Sequence, residues 1–503
     1  MQGLQATAVT IEVNATRGVR FVLVGLPDNA VKESHERILA AIENSGFTFP
    51  TRQITINLSP ADIRKEGSGY DLPMAIGILA TEDKVNTSQL GKYMMVGELS
   101  LDGSLVPIRG ALPVAIKARE MGFEGLFVPE GNIREAAVVN KLKVYGVKHI
   151  TQVVNHLNGT ALLEPTVVDT RGEFYARQYE FDYDFADVKG QEHVKRAMEV
   201  AAAGGHNIIM IGPPGSGKSM LAKRMPSILP PLSLQESLET TQIHSVAGTL
   251  PAGCSLMAQR PYRSPHHTIS QVALVGGGTN PQPGEISLAH NGILFLDELP
   301  EFQRSVLEVL RQPLEDRVIN VSRAKYSVTF PCSFMFVASM NPCPCGYYNH
   351  STKACCCTPG QIVRYLNKIS GPLLDRIDLQ IELSPVPFSD LSKMEPGEPS
   401  EKIRERVIRA RKIQEERFRD YALIHSNAQM TEKMLGQYCV LDSQTTEVLR
   451  EAMIRLNLSA RAYSRILKVA RTIADLEGKE NIEFAHVAEA VGYRTLDRSS
   501  WGE

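Results

Sequence analysis

The sequence of 503 residues is short of the features that mark membrane, secreted or disulfide-built proteins. It has no apolar run near the roughly 18 residues that a spanning helix needs. Its N-terminus lacks the basic-then-apolar pattern of a secretory signal. Both absences predict a cytoplasmic protein with no membrane partner. Net charge is small, −2 at pH 7, which excludes a globally basic nucleic-acid coat but leaves room for a local basic channel. Cysteine is scarce: there are eight, and five of them lie between Cys343 and Cys357. In a reducing compartment such clustering favours a metal over disulfides. The length exceeds what one core supports and predicts about three domains.

The chain is organised around the stretch from Ile208 to Ser219. An apolar run leads into Gly212, Pro213, Pro214, Gly215, Ser216, Gly217, Lys218 and Ser219, and Met220-Leu-Ala222 then opens a helical pattern. Strand, glycine-rich turn and helix N-terminus at the spacing GxxxxGKS form a phosphate-binding loop. The glycines let successive N–H groups point at phosphate oxygens, and the helix N-terminus favours an anion. Lys218 is placed for the β- and γ-phosphates of ATP, and Ser219 for Mg²⁺. Further on, Ile293-Leu-Phe-Leu runs into Asp297 and Glu298. This reads as a buried parallel strand with two carboxylates at its C-terminal edge. Asp297 is the second expected Mg²⁺ residue, and Glu298 the base that orients and deprotonates water. Together the two stretches predict an enzyme that hydrolyses ATP.

The clustered cysteines repeat a CxC spacing: Cys343 with Cys345, then Cys355 with Cys357. Four thiolates so placed can surround one tetrahedral ion, and Zn²⁺ is expected, with Cys356 as a spare. The paired His266 and His267 are read as structural, because neighbours on a strand face opposite ways. Around these stretches, Val9–Val13, Phe21–Val24, Ile54–Leu58 and Gly125–Pro129 are predicted strands. Ala30–Ser45, Ala111–Met121 and Phe302–Gln312 are predicted helices, and Val96–Gly103 a hairpin. The segment 161–187 shows no clear period and is read as a linker. Glu401–Asp420 reads as a solvated helix, and residues 430–493 as four helices forming a lid.

Three segments carry a family resemblance: GLPD (Gly25–Asp28), RKEGSGYDLP (Arg64–Pro73) and VGELSLDGSLVPIRGALP (Val96–Pro113). They resemble the Lon-protease-like domain at the front of the ComM/YifB magnesium-chelatase-like proteins. RxPyRSPHHTIS and PGEISLAHNG, within 260–292, resemble further signatures of that family, and residues 188–500 resemble the AAA+ ATPases. The resemblance implies an α/β fold in three parts. These are an N-terminal Lon-protease-like (ribosomal S5 domain 2-like) domain over 1–160, an AAA+ P-loop core with a parallel sheet over 188–395, and a C-terminal helical lid over 396–503. Aligned on the motifs, the Lon serine falls on Gly69 and the Lon lysine on Leu112. Ser68 is one place off with no lysine beside it, so a proteolytically inactive domain is expected. The first residues stand where the family is already inside its first strand, which suggests a late start.

The resemblance further implies that Val188 and Gly190 lie in the nucleotide pocket and that Asn341 is sensor 1. It makes Arg376 the arginine finger reaching a neighbour's γ-phosphate, and Arg461 the sensor 2 arginine, with Arg465 as the alternative. Arg323 and Lys325, at the tip of a hairpin over 317–330, are expected either to touch nucleic acid or to form a solvated turn. By the same resemblance the working unit is a hexameric ring that moves single-stranded and branched DNA. Its expected role is a branch-migration helicase that extends heteroduplex in natural transformation. The alternative is the ATPase subunit of a chelatase inserting Mg or Co into tetrapyrroles. The Lon-like domain and the cysteine cluster count against that alternative. A third reading, a peptide-processing or scaffolding protein, is disfavoured by the missing serine–lysine pair.

Overall fold

A computed structural model of the protein describes residues 3–251, 253–278, 281–323, 326–348, 350, 353–384, 396–456 and 458–494. Two units emerge: Met1–Ala176 with Ser237–Met257, and Arg177–Glu236 with Ala258–Glu503.

In the first unit the predicted strand segments become strands Thr10–Thr16, Phe21–Val24 and Gln53–Ser59. Gln53–Ser59 lies between the other two, antiparallel to the first and parallel to the second. Its residues Ile54, Ile56 and Leu58 are fully or nearly fully buried, as a period of two on a half-covered sheet requires. A second, parallel sheet joins Tyr93–Met95, Gly125–Pro129 and Lys143–Val147. The expected helix over 30–45 is split into Asn29–Lys32 and Ser34–Asn44. From the second piece, Arg37 grips the buried Asp71 with two hydrogen bonds of 2.8 and 3.0 Å. Burial pushes the Asp71 carboxyl up while Arg37 draws it down. The supposed linker contains a helix, Thr170–Arg177, opened by a bond from Gly172 N to Asp169 Oδ1 and anchored by the buried Phe174. One anchoring apolar residue leaves too little pattern for a sequence reading.

The second unit is built on five parallel strands: β1 (Ile208–Ile211), β2 (Tyr262–Arg263), β3 (Ile293–Leu296), β4 (Met335–Met340) and β5 (Leu379–Glu382). Their order is β2-β3-β4-β1-β5. β1, β3 and β4 are buried along their whole length, as expected of a parallel sheet covered on both faces. The order reverses at β1, which places a ligand crevice beyond its C-terminal end. At the opposite edge, before β5, Asp378 is buried and accepts from Asn207 N at 2.9 Å and Arg465 Nη1 at 2.9 Å. Burial opposes its charge, yet Arg465 and then His206 hold the carboxyl well below the usual range.

The expected helix over 302–312 is instead two pieces, Arg304–Glu308 and Arg311–Asp316. Pro313 cannot donate to Val309, so one helix ends there and the next takes proline into its first turn. An antiparallel hairpin follows, Val318–Arg323 with Tyr326–Pro331; the Lys325 expected at its tip lies outside the described residues. Ser400–Arg417 and then Glu432–Tyr438, Ser443–Arg455, Ala460–Leu476 and Phe484–Gly492 form the helical C-terminal region. The mixed α/β class, parallel sheet and helical end are those expected.

Candidate functional site

The phosphate loop leaves β1 at its C-terminal edge. Gly217 has φ of 91° and caps the helix Lys218–Arg224, a left-handed geometry that favours glycine. A side chain at Gly212 would meet the carbonyl of Leu383 at 2.8 Å, so only glycine lets the loop run this close to the end of β5. Lys218 is buried, and its Nζ donates to the carbonyls of Gly212 and Pro213 at 2.7 and 2.9 Å and to Asn341 Oδ1 at 3.3 Å. Burial lowers its pKa, against the pull of Asp297 and then Glu298. Ser216 Oγ is buried beside them without a partner, a donor set aside for an acceptor that enters the loop.

Asp297 closes the site from β3. Ser219 Oγ donates to its Oδ2 at 2.6 Å, so the two expected Mg²⁺ residues already share one point. That pair of hard oxygens suits Mg²⁺. Ser339, on β4, donates to Asp297 Oδ1, and Glu298 N reaches the same oxygen at 3.1 Å. Glu298 sits at φ of 54°, a costly conformation for a non-glycine residue. It turns the side chain away from the strand, half exposed, with Oε2 at 3.9 Å from His267 Nδ1. Lys218, Ser219, Asp297 and Asn341 are thus brought together, with Glu298 adjoining.

Val188 and Gly190 lie beside the same edge. Gln191 Nε2 donates to Ser384 O at 2.5 Å, just past β5, and His193 Nε2 meets the carbonyl of Glu382, the last residue of β5, at 2.9 Å. Arg376 is elsewhere. It precedes β5, so it sits at the N-terminal edge of a sheet whose C-terminal edge carries the phosphate loop. Its Nη2 pairs with Glu315 at 2.5 Å, and Nη1 donates to Pro372 O at 2.5 Å. Arg461 bonds Asp375 at 3.0 Å, one residue from Arg376, and is two-thirds exposed. Arg465 is occupied by the buried Asp378. The structure therefore gathers the arginines with one another and away from this chain's own loop.

The sulfur atoms of Cys343, Cys345, Cys355 and Cys357 all lie within 4.8 Å of one another. The separations of 3.3 to 3.7 Å among the first three approach the edge of about 3.8 Å that four Zn–S bonds of about 2.3 Å would set. Backbone N–H groups of Tyr348 and Cys357 point at the sulfurs of Cys343 and Cys355. Burial opposes ionisation of Cys345, yet backbone N–H groups of Tyr347 and Cys356 bring it down to about 6. Burial pushes Cys357 up to about 12. Cys356 is exposed. This thiol set fits Zn²⁺, and among the described residues it is the single His/Cys/Asp/Glu group that does.

His266 and His267 do not face opposite ways: they follow β2 in a turn, with ring centroids 4.0 Å apart. The reasoning from strand alternation fails there, although no third ligand joins them among the described residues. In the first unit, Ser68 Oγ donates to Glu98, while Gly69 and the fully buried Leu112 occupy the positions matched to the Lon pair. Lys65 is buried too, its ammonium on the carbonyl of Pro60. Sequence reading missed Ser339 and His267; the apolar pattern of β4 hides the one, and the turn after β2 the other.

Residues 184–391 match the family described as magnesium chelatase, subunit ChlI; residues 11–132 match subunit ChlI of Mg-chelatase; residues 397–494 match its C-terminal family. Competence protein ComM of Haemophilus influenzae is 44% identical over 505 residues, covering 99% of this chain and 96% of that protein. YifB of Escherichia coli is 44% identical over 503 residues with the same coverage, 99% and 96%. Lon protease 2 of Bacillus subtilis is 31% identical over 157 residues, 28% of this chain and 27% of that protease. With relatives matched from end to end and a phosphate loop set on a parallel sheet, the chain belongs to the ComM/YifB family of magnesium-chelatase-like AAA+ ATPases.

Proposed function

We propose that the protein hydrolyses ATP as a hexameric ring and uses the energy to move along branched DNA. The observation that carries this reading is the separation of its two halves. Lys218, Ser219, Asp297 and Asn341 converge at the C-terminal edge of the sheet, and Arg376 lies at the N-terminal edge of β5. The four residues of β5, at about 3.3 Å each, put roughly 13 Å between those edges. An arginine held there serves a neighbour's nucleotide, which makes a ring the working unit. Lys218 and the loop N–H groups hold the phosphates. Ser219 and Asp297 would hold Mg²⁺, which when bound neutralises charge on the β- and γ-oxygens. Glu298 takes the proton of the attacking water, and Asn341 fixes that water's position. Arg376 from the next subunit stabilises the transferring phosphoryl group, with Arg461 beside it.

The DNA assignment is supported by the competence role in the name of the Haemophilus relative and by the hairpin Val318–Pro331, which carries Arg323. Recombination of incoming single strands during transformation is the fitting context. The four clustered cysteines would hold Zn²⁺. The family descriptions favour a second reading, a chelatase motor. Turnover raised by single-stranded, forked or four-way DNA supports the first, and metal insertion into a porphyrin the second. For the site itself, Glu298→Gln should bind ATP normally and hydrolyse it at least about a hundredfold more slowly. Near-normal turnover in that variant would remove Glu298 from the mechanism.

A further inference from the structure

The cysteine cluster lies against the nucleotide site. Asn341 directly follows β4, and Cys343 comes two residues later. Gly346, whose N–H closes the turn onto Cys343 O at 3.0 Å, has φ of 84° and packs on the phosphate loop. A Cβ there would stand 2.6 Å from Pro214 Cδ and 3.9 Å from Asn341 Cγ. On the other side of the cluster, Cys357 leads directly into the helix Pro359–Leu366, capped by Thr358 and Gln361. That helix returns the buried Tyr365 to the neighbourhood of Asn341, with the phenol turned toward the Asn341 backbone amide. Asn341 is therefore flanked on three sides: Lys218 bonds its side chain, Gly346 stands beside it, and Tyr365 lies toward its backbone amide.

We propose that the cysteine cluster is a metal-dependent brace of the ATP site, with Tyr365 as the positioning residue for Asn341 and Gly346 as the contact on the phosphate loop. One ion ties Cys343 and Cys345, which come after β4, to Cys355 and Cys357, which precede the helix of Tyr365. Structural zinc supplies folding energy to the loop that binds it. Without the ion, the two ends are joined only by the loop between them. Tyr365 then loses its fixed approach to Asn341, and Gly346 its seat on Pro214. The cluster so becomes part of the hydrolytic machinery without touching the reacting atoms. This proposal rests on the assignment of Asn341 to the ATP site.

The full-length protein tests it, with zinc measured by elemental analysis, nucleotide affinity by fluorescence of mant-ADP, and turnover by phosphate release. Cys355→Ser should lose its zinc and bind mant-ADP about tenfold more weakly, the loss usual for a disrupted supporting shell. Wild-type protein stripped by a zinc-selective chelator and returned to Mg²⁺ should behave the same, which guards against a variant that fails to fold. Tyr365→Phe should keep about one zinc per chain and its mant-ADP affinity while kcat falls about tenfold. A merely structural tyrosine would give no such split. Cys356→Ser should match wild type throughout. Zinc-free protein with normal nucleotide affinity, or Tyr365→Phe with normal kcat, overturns the brace. Unchanged turnover in Asn341→Ala would instead remove the ATP-site assignment beneath it.

Discussion

The two units make an instructive pair, because both are α/β folds related to enzymes and only one brings a reactive set together. In the first, the strand Gln53–Ser59 and the helix Asp71–Ala80 keep a dense apolar core. The positions matched to a serine and a lysine hold Gly69 and Leu112, and Ser68 is bonded to a carboxylate. In the second, Lys218, Ser219, Asp297 and Asn341 meet within hydrogen-bond reach. Apolar burial holds both folds together, and it needs none of the reactive residues. A fold does not by itself carry a chemistry, and activity has to be argued from side chains.

Substitutions sharpen that contrast in descending order of effect. Lys218→Ala should abolish nucleotide binding, read as the loss of any mant-ADP signal. No other group in the loop can replace an ammonium that bonds Gly212, Pro213 and Asn341 at once. Binding that survived would mean that the Lys218 ammonium does not hold the nucleotide. Next comes a structural position of the second unit. Asp378→Asn leaves Arg465 facing a neutral amide at the buried edge and should cost about 3 kcal/mol in urea unfolding. The carboxyl of Asp378 is held below its usual range, so its stabilisation is complete above about pH 3.9. It is lost only as pH falls through the lowered value, and the difference between wild type and variant should shrink in strong acid. The smallest effect belongs to the first unit: Ser68→Ala should leave ATP turnover and DNA-stimulated turnover unchanged, and wild type and variant should alike cleave no peptide. Peptide cleavage that disappears in Ser68→Ala would mean the first unit retains chemistry of its own.

What could be read from the sequence divides along the same line between local and distant. Phe21–Val24 and Gly125–Pro129 fall where their short apolar runs put them. The phosphate loop was legible because its chemistry lies within eight consecutive residues, Gly212 to Ser219. The four cysteines were legible for the same reason, being two short repeats. The helix expected over 302–312 breaks after Glu308, because Pro313, just beyond the expected end, has no N–H to donate to Val309. Ser339, Tyr365 and the contact of Gly346 on Pro214 were not legible at all. Each depends on strands and loops brought together from far apart in the chain. The nearness of the cluster to the phosphate loop is likewise a product of the fold, which the CxC spacing does not show. Arg376 was named by resemblance, but its place at the N-terminal edge of β5 could come only from the fold.

The placement of Arg376 is open to a direct test. Arg376→Ala protein and Lys218→Ala protein should each assemble, and each alone should hydrolyse ATP very poorly, since a missing finger costs about a thousandfold or more. The deciding measurement is the ATPase rate of the two mixed together across a range of ratios. A ring with shared sites contains interfaces at which an intact loop meets an intact finger, so the mixture should recover a fraction of wild-type turnover that peaks near equal amounts. A mixture that stays inactive at every ratio, although mixed rings form, would place Arg376 in its own subunit's site and contradict the account.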